Sequence, residues 1–422
     1  MNALFKWWND PSKALQFHAF LRLGTQILLG ILPVKLGYEI SQTSQLELYL
    51  FYGAALSFFI TGALNKTILT NNGKTAEFTA LLIGSFLTVL SAVAAWCIAY
   101  SVEGINPYLL SGLVLALPLA NSIEHFILIH KKLKWLFVFS LSYIGIYLIV
   151  ISLLFFWHRS IEEVITAIIG IHLFKSLLVL VFARGLRPPL FQKALFHTFV
   201  DFLGIALLGG LMNFLDGFIL NYLFPEYPFS VFRYGARELP LLNIIFTSMA
   251  AGFILTIQQK SDWQEQMKRR LKFLLNWSFP LVALLFFLSP YVYEWVFSSE
   301  YRVSAIFFNI YLLMLLFRVM IGQSVLMAYK KERILLILTG VELAGNIVFS
   351  IVFGLIWGIL GIMFATVLAY AIHKVLLVFY LSHKLNISIS SFFPIKSYAA
   401  MSLLLMVSFY ISWQVNFTEL WP

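Results

Sequence analysis

Residues 334–381 read ILLILTGVELAGNIVFSIVFGLIWGILGIMFATVLAYAIHKVLLVFYL, a run long enough for two membrane-spanning helices. A helix needs about 20 mainly apolar residues to cross the hydrocarbon core of a bilayer. Similar runs recur along the whole chain, and this length criterion predicts about thirteen spans. The predicted spans are 17–38, 46–65, 77–100, 107–129, 135–157, 162–183, 196–223, 236–257, 272–297, 303–328, 333–356, 359–383 and 396–415.

The composition also indicates a membrane protein. Hydrophobic residues make up 61% of the 422 residues and charged residues 11%, whereas soluble domains carry about 25% charged residues. The apolar runs are continuous and do not alternate with period two, which argues against a membrane β-barrel. The net charge of +10 is distributed over short loops and forms no single basic stripe, so we expect no nucleic-acid partner. We therefore predict an all-α polytopic membrane protein in contact with membrane lipids.

The loops between the predicted spans are alternately rich and poor in cations. Because lysine and arginine concentrate on the cytoplasmic side, this pattern predicts a cytoplasmic N-terminus and an external C-terminus. The cation-poor loops have Arg159, Arg233, Arg237 and Arg302 in or beside them. The cation-rich loops contain Lys6, Lys13, Lys66, Lys74, Lys131, Lys132, Lys134, Arg184, Arg187, Lys193, Lys260, Lys268, Arg269, Arg270, Lys272, Lys330, Lys331, Arg333, Lys384 and Lys396.

The spans divide into two groups of six that begin and end on the same side of the membrane. We expect an N-terminal lobe at 1–190, a C-terminal lobe at 191–385, and an extra span with a tail at 386–422. Lys175 and Lys374 each precede a Leu-Leu-Val sequence at a similar distance from a cytoplasmic end. Two equally oriented repeats related by an axis along the membrane normal would explain this correspondence.

Several cations lie inside the predicted spans, where they are costly unless they face a cavity or have partners. Lys175 and Lys374 are about 14 Å from the inner ends of their spans, which favours a wet cavity over contact with the headgroups. Arg22 and Lys35 lie nearer the membrane surfaces, so headgroup contact and function remain alternatives for both. If most of these cations face one cavity, they would bind an anionic substrate, with arginines suited to bidentate phosphate contacts. The predicted substrate-binding cations are Arg22, Lys35, Lys175, Arg237 and Lys374.

A second group of polar residues has candidate roles in gating or ion coupling. Arg318 and Glu342 are about equally deep in adjacent spans, so they are predicted to form a structural ion pair or a gate. Asn346 lies one turn beyond Glu342 on the same face. Asp216 has three open alternatives: it binds a coupling cation, it titrates, or it neutralises Arg237.

Three ionisable residues are expected nearer the inner surface, at the rim of the protein. They are Glu124, His125 and Asp201.

The sequence lacks the common motifs of enzyme active sites. There is no phosphate-binding glycine loop, no HExxH helix, no Cys/His ligand set and no nucleophile elbow. We therefore predict that the chain is not an enzyme, needs no cofactor or metal, and draws energy from Na⁺ or H⁺, the membrane potential or the substrate gradient.

The second half of the chain contains a series of patterned segments. SPYVYEWVFSSEYRVSAIFFNIYLLMLLFR (289–318) has Glu300 and Tyr301 before an apolar helix. GQSVLMAYKKERILLILTGVELAGNIVFSIVFGLIWGILGIMFATVLAY (322–370) has a basic hairpin, a central Asn346, and a glycine-rich start to the next helix. These segments resemble the polysaccharide flippases (O-antigen and teichoic-type) of the multidrug/oligosaccharidyl-lipid/polysaccharide superfamily.

Two further segments are similar to the same family. FVDFLGIALLGGLMNFLDGFIL (199–220) is similar to the family's seventh span, with Asp216 at a frequent acidic position. FRYGARELPLL (232–242) is similar to the start of the eighth span, which would make Arg237 a basic residue facing the cavity. The resemblance implies two six-helix lobes around a central cavity, with one additional C-terminal span in this chain. It also implies alternation between inward-open and outward-open forms.

The leading functional hypothesis is a flippase of a bacterial inner membrane that moves a prenyl-pyrophosphate-linked oligosaccharide to the outer leaflet, in association with glycan polymerase machinery. A cation-coupled multidrug exporter of the same superfamily is the nearest alternative, although such exporters favour acids over bases in the cavity. A membrane glycan polymerase or ligase is a third, but those enzymes need a long outer loop. A non-transporting scaffold would leave the buried charges unexplained.

Overall fold

The computed structural model describes residues 11–70, 74–129, 133–182, 193–237, 240–259 and 261–418. Each predicted span falls on one or more helices, and no strand occurs in these described ranges. The first helices are α1 (Pro11–Lys35), α2 (Ile40–Thr70), α3 (Lys74–Ala99), α4 (Pro107–Ala120), α5 (Ile123–Ile129), α6 (Leu133–Phe156), α7 (Ile161–Phe182) and α8 (Lys193–Leu223). They are followed by α9 (Phe229–Gly235), α10 (Pro240–Gln259), α11 (Trp263–Val296), a 3₁₀ turn (Ser299–Val303), α12 (Ser304–Leu312), α13 (Leu315–Arg318), α14 (Gly322–Ala328), α15 (Glu332–Lys384), α16 (Ile389–Phe392) and α17 (Ile395–Asn416).

Nine segments of the described ranges are long and apolar enough to cross a membrane, judged by length and composition. This confirms the predicted fold class, an all-α polytopic membrane protein. The segments are Ile40–Leu69, Glu77–Ala99, Pro107–Ile127, Val138–Phe156, Leu195–Leu223, Trp263–Val296, Ser299–Arg318, Arg333–Lys384 and Ile395–Asn416. Of the loop cations that gave the orientation, Lys6, Lys131, Lys132, Arg184, Arg187 and Lys260 lie outside the described residues.

The chain divides into two compact units, and the division falls within α8. Unit 1 extends to Phe214 and includes Pro228–Ser230, and unit 2 comprises Leu215–Tyr227 and the chain from Val231 onward. The lobe boundary at 190/191 stays a prediction.

In unit 1, α4 packs between α3 and α7, α2 packs on α3 and α4, and α1 packs along α6. A buried apolar cluster joins α2, α3, α5 and α8 through residues that include Leu64, Ala80, Phe126 and Phe199. In lipid, close packing of this kind is the main force that holds helices together.

In unit 2, the last helix α17 lies along α11. The Ser412 hydroxyl donates a hydrogen bond to the Phe286 carbonyl oxygen over 2.6 Å, and the Tyr398 hydroxyl donates to the Leu316 carbonyl oxygen over 2.9 Å. The Phe286 ring also packs edge-on against Phe409, with the ring centroids 5.5 Å apart. The extra span is therefore an integral part of unit 2.

The α15 run consists of two antiparallel helices joined at Gly358. This residue has φ of 65° and ψ of −148°, a conformation open to glycine but strained for other residues. Glu342 and His373, which are almost equally far from Gly358 along the chain, contact each other, and Thr366 Oγ1 lies 3.1 Å from Asn346 Oδ1. The hairpin confirms the predicted boundary between the spans at 333–356 and 359–383.

The span predicted at 303–328 is broken into short pieces, from the 3₁₀ turn through α14. The chain leaves helical geometry just after Arg318, and Ile321 has ψ of 36°. Broken spans occur in transporters where the irregular backbone is covered by protein or lines a cavity. The break lies beside the recess described below.

Candidate functional site

A carboxylate is buried within unit 1. Glu124 in α5 is 3% exposed, and its Oε1 lies 2.5 Å from Lys175 Nζ in α7 and 3.0 Å from His18 Nε2 in α1. Lys175 is also 3% exposed and His18 is 7% exposed. Because a buried charge is costly without a partner, the three side chains stabilise one another.

Polar and aromatic side chains of α6 and α7 surround this cluster. His18 Nδ1 lies 2.8 Å from the Ser140 hydroxyl. Lys175 Nζ lies 4.4 Å from the centroid of the Tyr143 ring, a cation–π distance. The Tyr143 hydroxyl lies 3.1 Å from His172 Nδ1.

A break in the helix brings Glu124 to this position. α4 contains Pro118 and ends at Ala120, and α5 begins at Ile123 after one irregular turn. The Ser122 hydroxyl donates to the Pro118 carbonyl oxygen over 2.8 Å, so a backbone acceptor at the break is satisfied. α7 is held against α4 by a hydrogen bond from the Ser176 hydroxyl to the Ala116 carbonyl oxygen, which brings the neighbouring Lys175 close to α5.

A second buried carboxylate lies in unit 2. Asp216 in α8 is 9% exposed and accepts hydrogen bonds from the Tyr311 hydroxyl and from the Thr366 hydroxyl, the latter over 2.7 Å. Asn346 Oδ1 lies 3.1 Å from the same Thr366 oxygen and accepts from the Ser350 hydroxyl over 2.9 Å. Carboxylate, amide and hydroxyl oxygens thus converge in one small volume, a donor set that suits a hard cation.

The two halves of the α15 hairpin bring a further acid and base together. His373 Nδ1 contacts the Glu342 carboxylate, and both residues are buried. Lys374 is 3% exposed, with its Nζ 4.8 Å from the centroid of the Tyr370 ring. Each unit therefore contains a buried acid–histidine contact and a buried lysine over a tyrosine ring.

A small recess opens in unit 2 beside the break after α13. Arg237, Arg318 and Tyr311 supply its polar lining, and the remaining wall is Leu242, Phe308, Leu312, Met314 and Leu315. The Arg237 guanidinium lies 5.2 Å from the centroid of the Tyr234 ring. The recess therefore combines two cationic groups with an apolar wall.

Comparison with known proteins identifies the fold. No protein-family model and no curated protein matches the sequence. Among solved structures, the chain is similar to lipid II flippase MurJ in an inward closed conformation, with a TM-score of 0.67 and 16% identity over 95% of this chain and 93% of that chain. It is also similar to an inward-facing multidrug resistance MATE family transporter of the MOP superfamily, with a TM-score of 0.61 and 14% identity over 91% of this chain and 95% of that chain.

A MOP superfamily transporter from Pyrococcus furiosus matches with a TM-score of 0.57 and 14% identity, over 94% of this chain and 97% of that chain. The chain has the fold of the MOP superfamily transporters. The predicted likeness to this superfamily is confirmed at the level of the fold. The similar structures include a lipid II flippase and a multidrug resistance transporter, so the fold alone does not identify a function.

Within the MOP fold, the predicted substrate-binding cations lie in different surroundings. Arg237 lines the recess in unit 2. Lys175 and Lys374 are buried against tyrosine rings, so the open, wet contact expected for them is not what this structure shows. Arg22 and Lys35 are exposed on α1.

The acidic residues differ from the sequence-based expectations in their partners. Glu342 was predicted to pair with Arg318, but the charged partner that the structure gives it is His373. Asp216 was offered as a neutralising partner of Arg237, but the structure surrounds it with hydroxyl donors. Asn346 belongs to the polar cluster around Asp216. The Thr366 hydroxyl connects the two residues, because it lies within hydrogen-bond distance of both.

Glu124 was predicted to be a rim residue, and this was wrong, because it is among the most buried charged residues of the described chain. An acid in the apolar sequence ANSIEHFILI was the available signal. His18, Tyr311 and Thr366 were missed altogether. Their residue types are common in membrane helices, so nothing in the local sequence sets them apart.

Proposed function

We propose that this chain is a transporter that flips a prenyl-pyrophosphate-linked oligosaccharide across a bacterial inner membrane by alternating access. The observation that carries the proposal is the recess of unit 2, where Arg237 and Arg318 lie on an otherwise apolar wall. An amphipathic anion fits such a site, because arginine forms bidentate contacts with phosphate oxygens. The likeness to the structure of lipid II flippase MurJ supports the same substrate class.

The recess suits a substrate with two chemically different parts. The guanidinium groups would bind the pyrophosphate, and the side chains of Leu242, Phe308 and Leu312 would contact the first carbons of the prenyl chain. Arg22 and Lys35 are exposed and stay candidates for contacts with the sugar or with headgroups. Lys374 would support the site from within unit 2, since it is buried.

A coupling ion would bind at the oxygen cluster of unit 2. We propose that Asp216, Asn346 and Thr366 bind Na⁺ in one state of the cycle and release it in another, with Glu342 and Arg318 in gating roles. The cluster supports this because it contains one buried carboxylate and several neutral oxygens, a charge balance suited to a monovalent cation. H⁺ is the alternative coupling ion.

The alternation of loop charge supports an N-terminus in the cytoplasm. Flipping would then deliver the oligosaccharide to the outer leaflet, where glycan polymerase machinery would be the partner. No step of this cycle requires covalent chemistry by the chain itself.

Reconstitution of the full chain into proteoliposomes with fluorescent lipid-linked oligosaccharide tests the proposal. Quenching of the outer leaflet by a membrane-impermeant reagent reports how much substrate has crossed. The double variant Arg237→Ala/Arg318→Ala is expected to reduce the flipping rate by at least roughly 100-fold, since each charge-assisted contact with phosphate contributes about 1.5 to 3 kcal/mol. Arg269→Ala is the matched control, because Arg269 is exposed and pairs with Glu265 one turn away on α11. Equal flipping by the double variant and the control would contradict the assignment of the recess.

The second candidate function is export of drugs, which the likeness to a MATE family structure favours. Everted membrane vesicles loaded with a fluorescent cationic drug distinguish the two. Drug movement that depends on this chain, without any flipping of the oligosaccharide lipid, would replace the flippase proposal. The cationic recess argues for the flippase, because two arginines repel a cationic drug.

The coupling ion is tested in the same liposomes by imposing a Na⁺ gradient. Asp216→Asn is expected to abolish the dependence on Na⁺ while leaving the chain folded, because asparagine preserves the shape but loses the charge. Asp201→Asn is the matched control, an exposed carboxylate on the same helix. A Na⁺ dependence that persists in Asp216→Asn would exclude this cluster as the coupling site.

A further inference from the structure

Anion binding in the recess of unit 2 depends on the position of one flexible side chain, that of Arg237. This residue follows α9 by two positions and lines the recess together with Arg318. An arginine side chain is long and has several rotatable bonds, so it binds phosphate well only if the planar guanidinium is held in place beforehand. The groups that hold the guanidinium therefore decide how well the recess binds an anion.

The ring of Tyr234 lies against the Arg237 guanidinium. The guanidinium carbon is 5.2 Å from the centroid of the ring, a cation–π distance. Residues three positions apart are neighbours on a continuous α-helix, but α9 ends at Gly235, between the two residues. The contact therefore depends on how the end of α9 is fixed.

Three contacts fix the end of α9 against α11 and the first residue of α12. The Tyr293 hydroxyl donates to the Tyr234 carbonyl oxygen over 2.9 Å. The Ser304 hydroxyl donates to the Val231 carbonyl oxygen over 2.7 Å. Gly235 lies so close to Ser304 that a Cβ atom at position 235 would overlap the Ser304 carbonyl oxygen. The backbone on both sides of the Tyr234 side chain is therefore held by neighbouring helices.

Two further aromatic rings hold the Tyr234 ring itself. Phe297 is stacked on it, with the ring centroids 4.7 Å apart and the planes at 17°. Tyr301 lies 5.4 Å from the Tyr234 ring and 5.5 Å from the Phe297 ring, so the three rings form one packed group. Tyr234 is 3% exposed and Tyr301 is 1% exposed. Because close-packed side chains have few alternative positions, this group presents a rigid ring to Arg237.

We propose that Tyr234 is the positioning residue of the recess, and that its packed ring holds the Arg237 guanidinium where the anionic group of the substrate binds. Tyr234 is buried and does not belong to the described lining of the recess, so it acts through Arg237. The proposal rests on the proposed function, since it concerns the same recess. It adds that the affinity for a phosphate group is set partly by an aromatic residue behind the arginine.

Binding of inorganic pyrophosphate to the full chain in nanodiscs of zwitterionic lipid tests the proposal, with the Kd measured by equilibrium dialysis. Tyr234→Leu is expected to weaken binding about fivefold, because the arginine loses both the attraction of the ring and its fixed position. Tyr234→Phe is expected to bind within about twofold of wild type, since it keeps a ring that can stack and attract a cation.

Tyr291→Leu is the matched control for the loss of a ring. Tyr291 is an exposed tyrosine of the same unit whose ring centroid lies 6.0 Å from the Arg302 guanidinium. Neither residue belongs to the described lining of the recess. This variant is therefore expected to bind pyrophosphate as wild type does.

A double-mutant cycle separates positioning from a general effect on the fold. Arg237→Ala alone is expected to weaken binding about tenfold or more. If Tyr234 acts through Arg237, adding Tyr234→Leu to Arg237→Ala causes no further loss. A purely structural role would weaken binding in both backgrounds. Phe297→Leu is expected to cause a smaller loss with the same dependence on Arg237, and it decides the question if Tyr234→Leu fails to fold.

The outcomes distinguish this proposal from the proposed function. Wild-type affinity in Tyr234→Leu, together with weakened binding in Arg237→Ala, would overturn the positioning role and leave the recess as proposed. An equal loss from Tyr234→Leu in both backgrounds would overturn the positioning role as well. Wild-type affinity in Arg237→Ala, or no binding of pyrophosphate by the wild-type chain, would overturn the assignment of the recess and the positioning role together.

Discussion

The Lys175–Glu124 pair makes a strong prediction about stability. The two side chains are 3% and 4% exposed and their charged atoms are 2.5 Å apart, so solvent screens the interaction very little. Lys175→Met removes the cation and leaves a buried carboxylate, which costs about 3 to 5 kcal/mol in buried pairs of this kind. We expect the lower end of that range, about 3 kcal/mol, because His18 remains 3.0 Å from the carboxylate.

The free energy of unfolding is measured by titrating the full chain in mixed micelles with sodium dodecyl sulfate and following tryptophan fluorescence. Lys272→Met is the control, an exposed lysine replaced in the same way, and is expected to change the free energy by less than about 0.5 kcal/mol. The double variant Lys175→Met/Glu124→Gln is expected to be more stable than Lys175→Met alone, since no buried charge is left unpaired. A loss below about 1 kcal/mol in Lys175→Met, or a double variant less stable than the single one, would refute the reasoning.

Three further variants of unit 2 test its close approaches, its turn and its carboxylate by the same unfolding measurement. Gly235→Ala is expected to lower the free energy of unfolding by about 1 to 3 kcal/mol, because its new Cβ would overlap the carbonyl oxygen of Ser304. The control is Gly252→Ala, where a new Cβ meets open space. Equal effects of the two variants would contradict the close approach. Gly358→Ala is expected to cost about 1 kcal/mol through its positive φ, and a stabilised protein would show that the turn differs from the one described. Tyr311→Phe removes a donor to the buried aspartate of unit 2, so a loss of about 1 to 3 kcal/mol is expected together with weaker Na⁺ dependence of flipping; unchanged stability would argue against that hydrogen bond.

The positions of the helices could be predicted from the sequence because length and apolarity decide them almost alone. In hydrocarbon every backbone polar group must be paired within the segment, so a long apolar run has to form a helix. The boundary between the two halves of α15 was also predictable, since Gly358 interrupts two apolar runs of full length. Asp216 and Glu342 could be recognised from the sequence as candidate functional residues, because a charged side chain is costly inside a membrane span.

The partners of these residues were not predictable. A membrane helix is apolar on all sides, so periodicity does not reveal which face turns inward. The Glu124 partners illustrate this, because His18 and Lys175 are far away in sequence and only the packing of α1 and α7 around α5 brings them together. Glu342 likewise contacts His373 because the chain turns back at Gly358. The membrane depth of Glu342, estimated from the sequence, did not reveal this partner.

By itself, then, the sequence determined a polytopic all-α membrane protein, the positions of its helices and a small set of costly charges within them. Those properties follow from local composition, because the bilayer acts on each segment separately. Only the tertiary structure decided that two arginines share a recess, that Asp216 lies among hydroxyl and amide oxygens, and that Glu124 holds a lysine and a histidine at once. These arrangements depend on the rotation and packing of whole helices, which are set by close contact between distant parts of the chain.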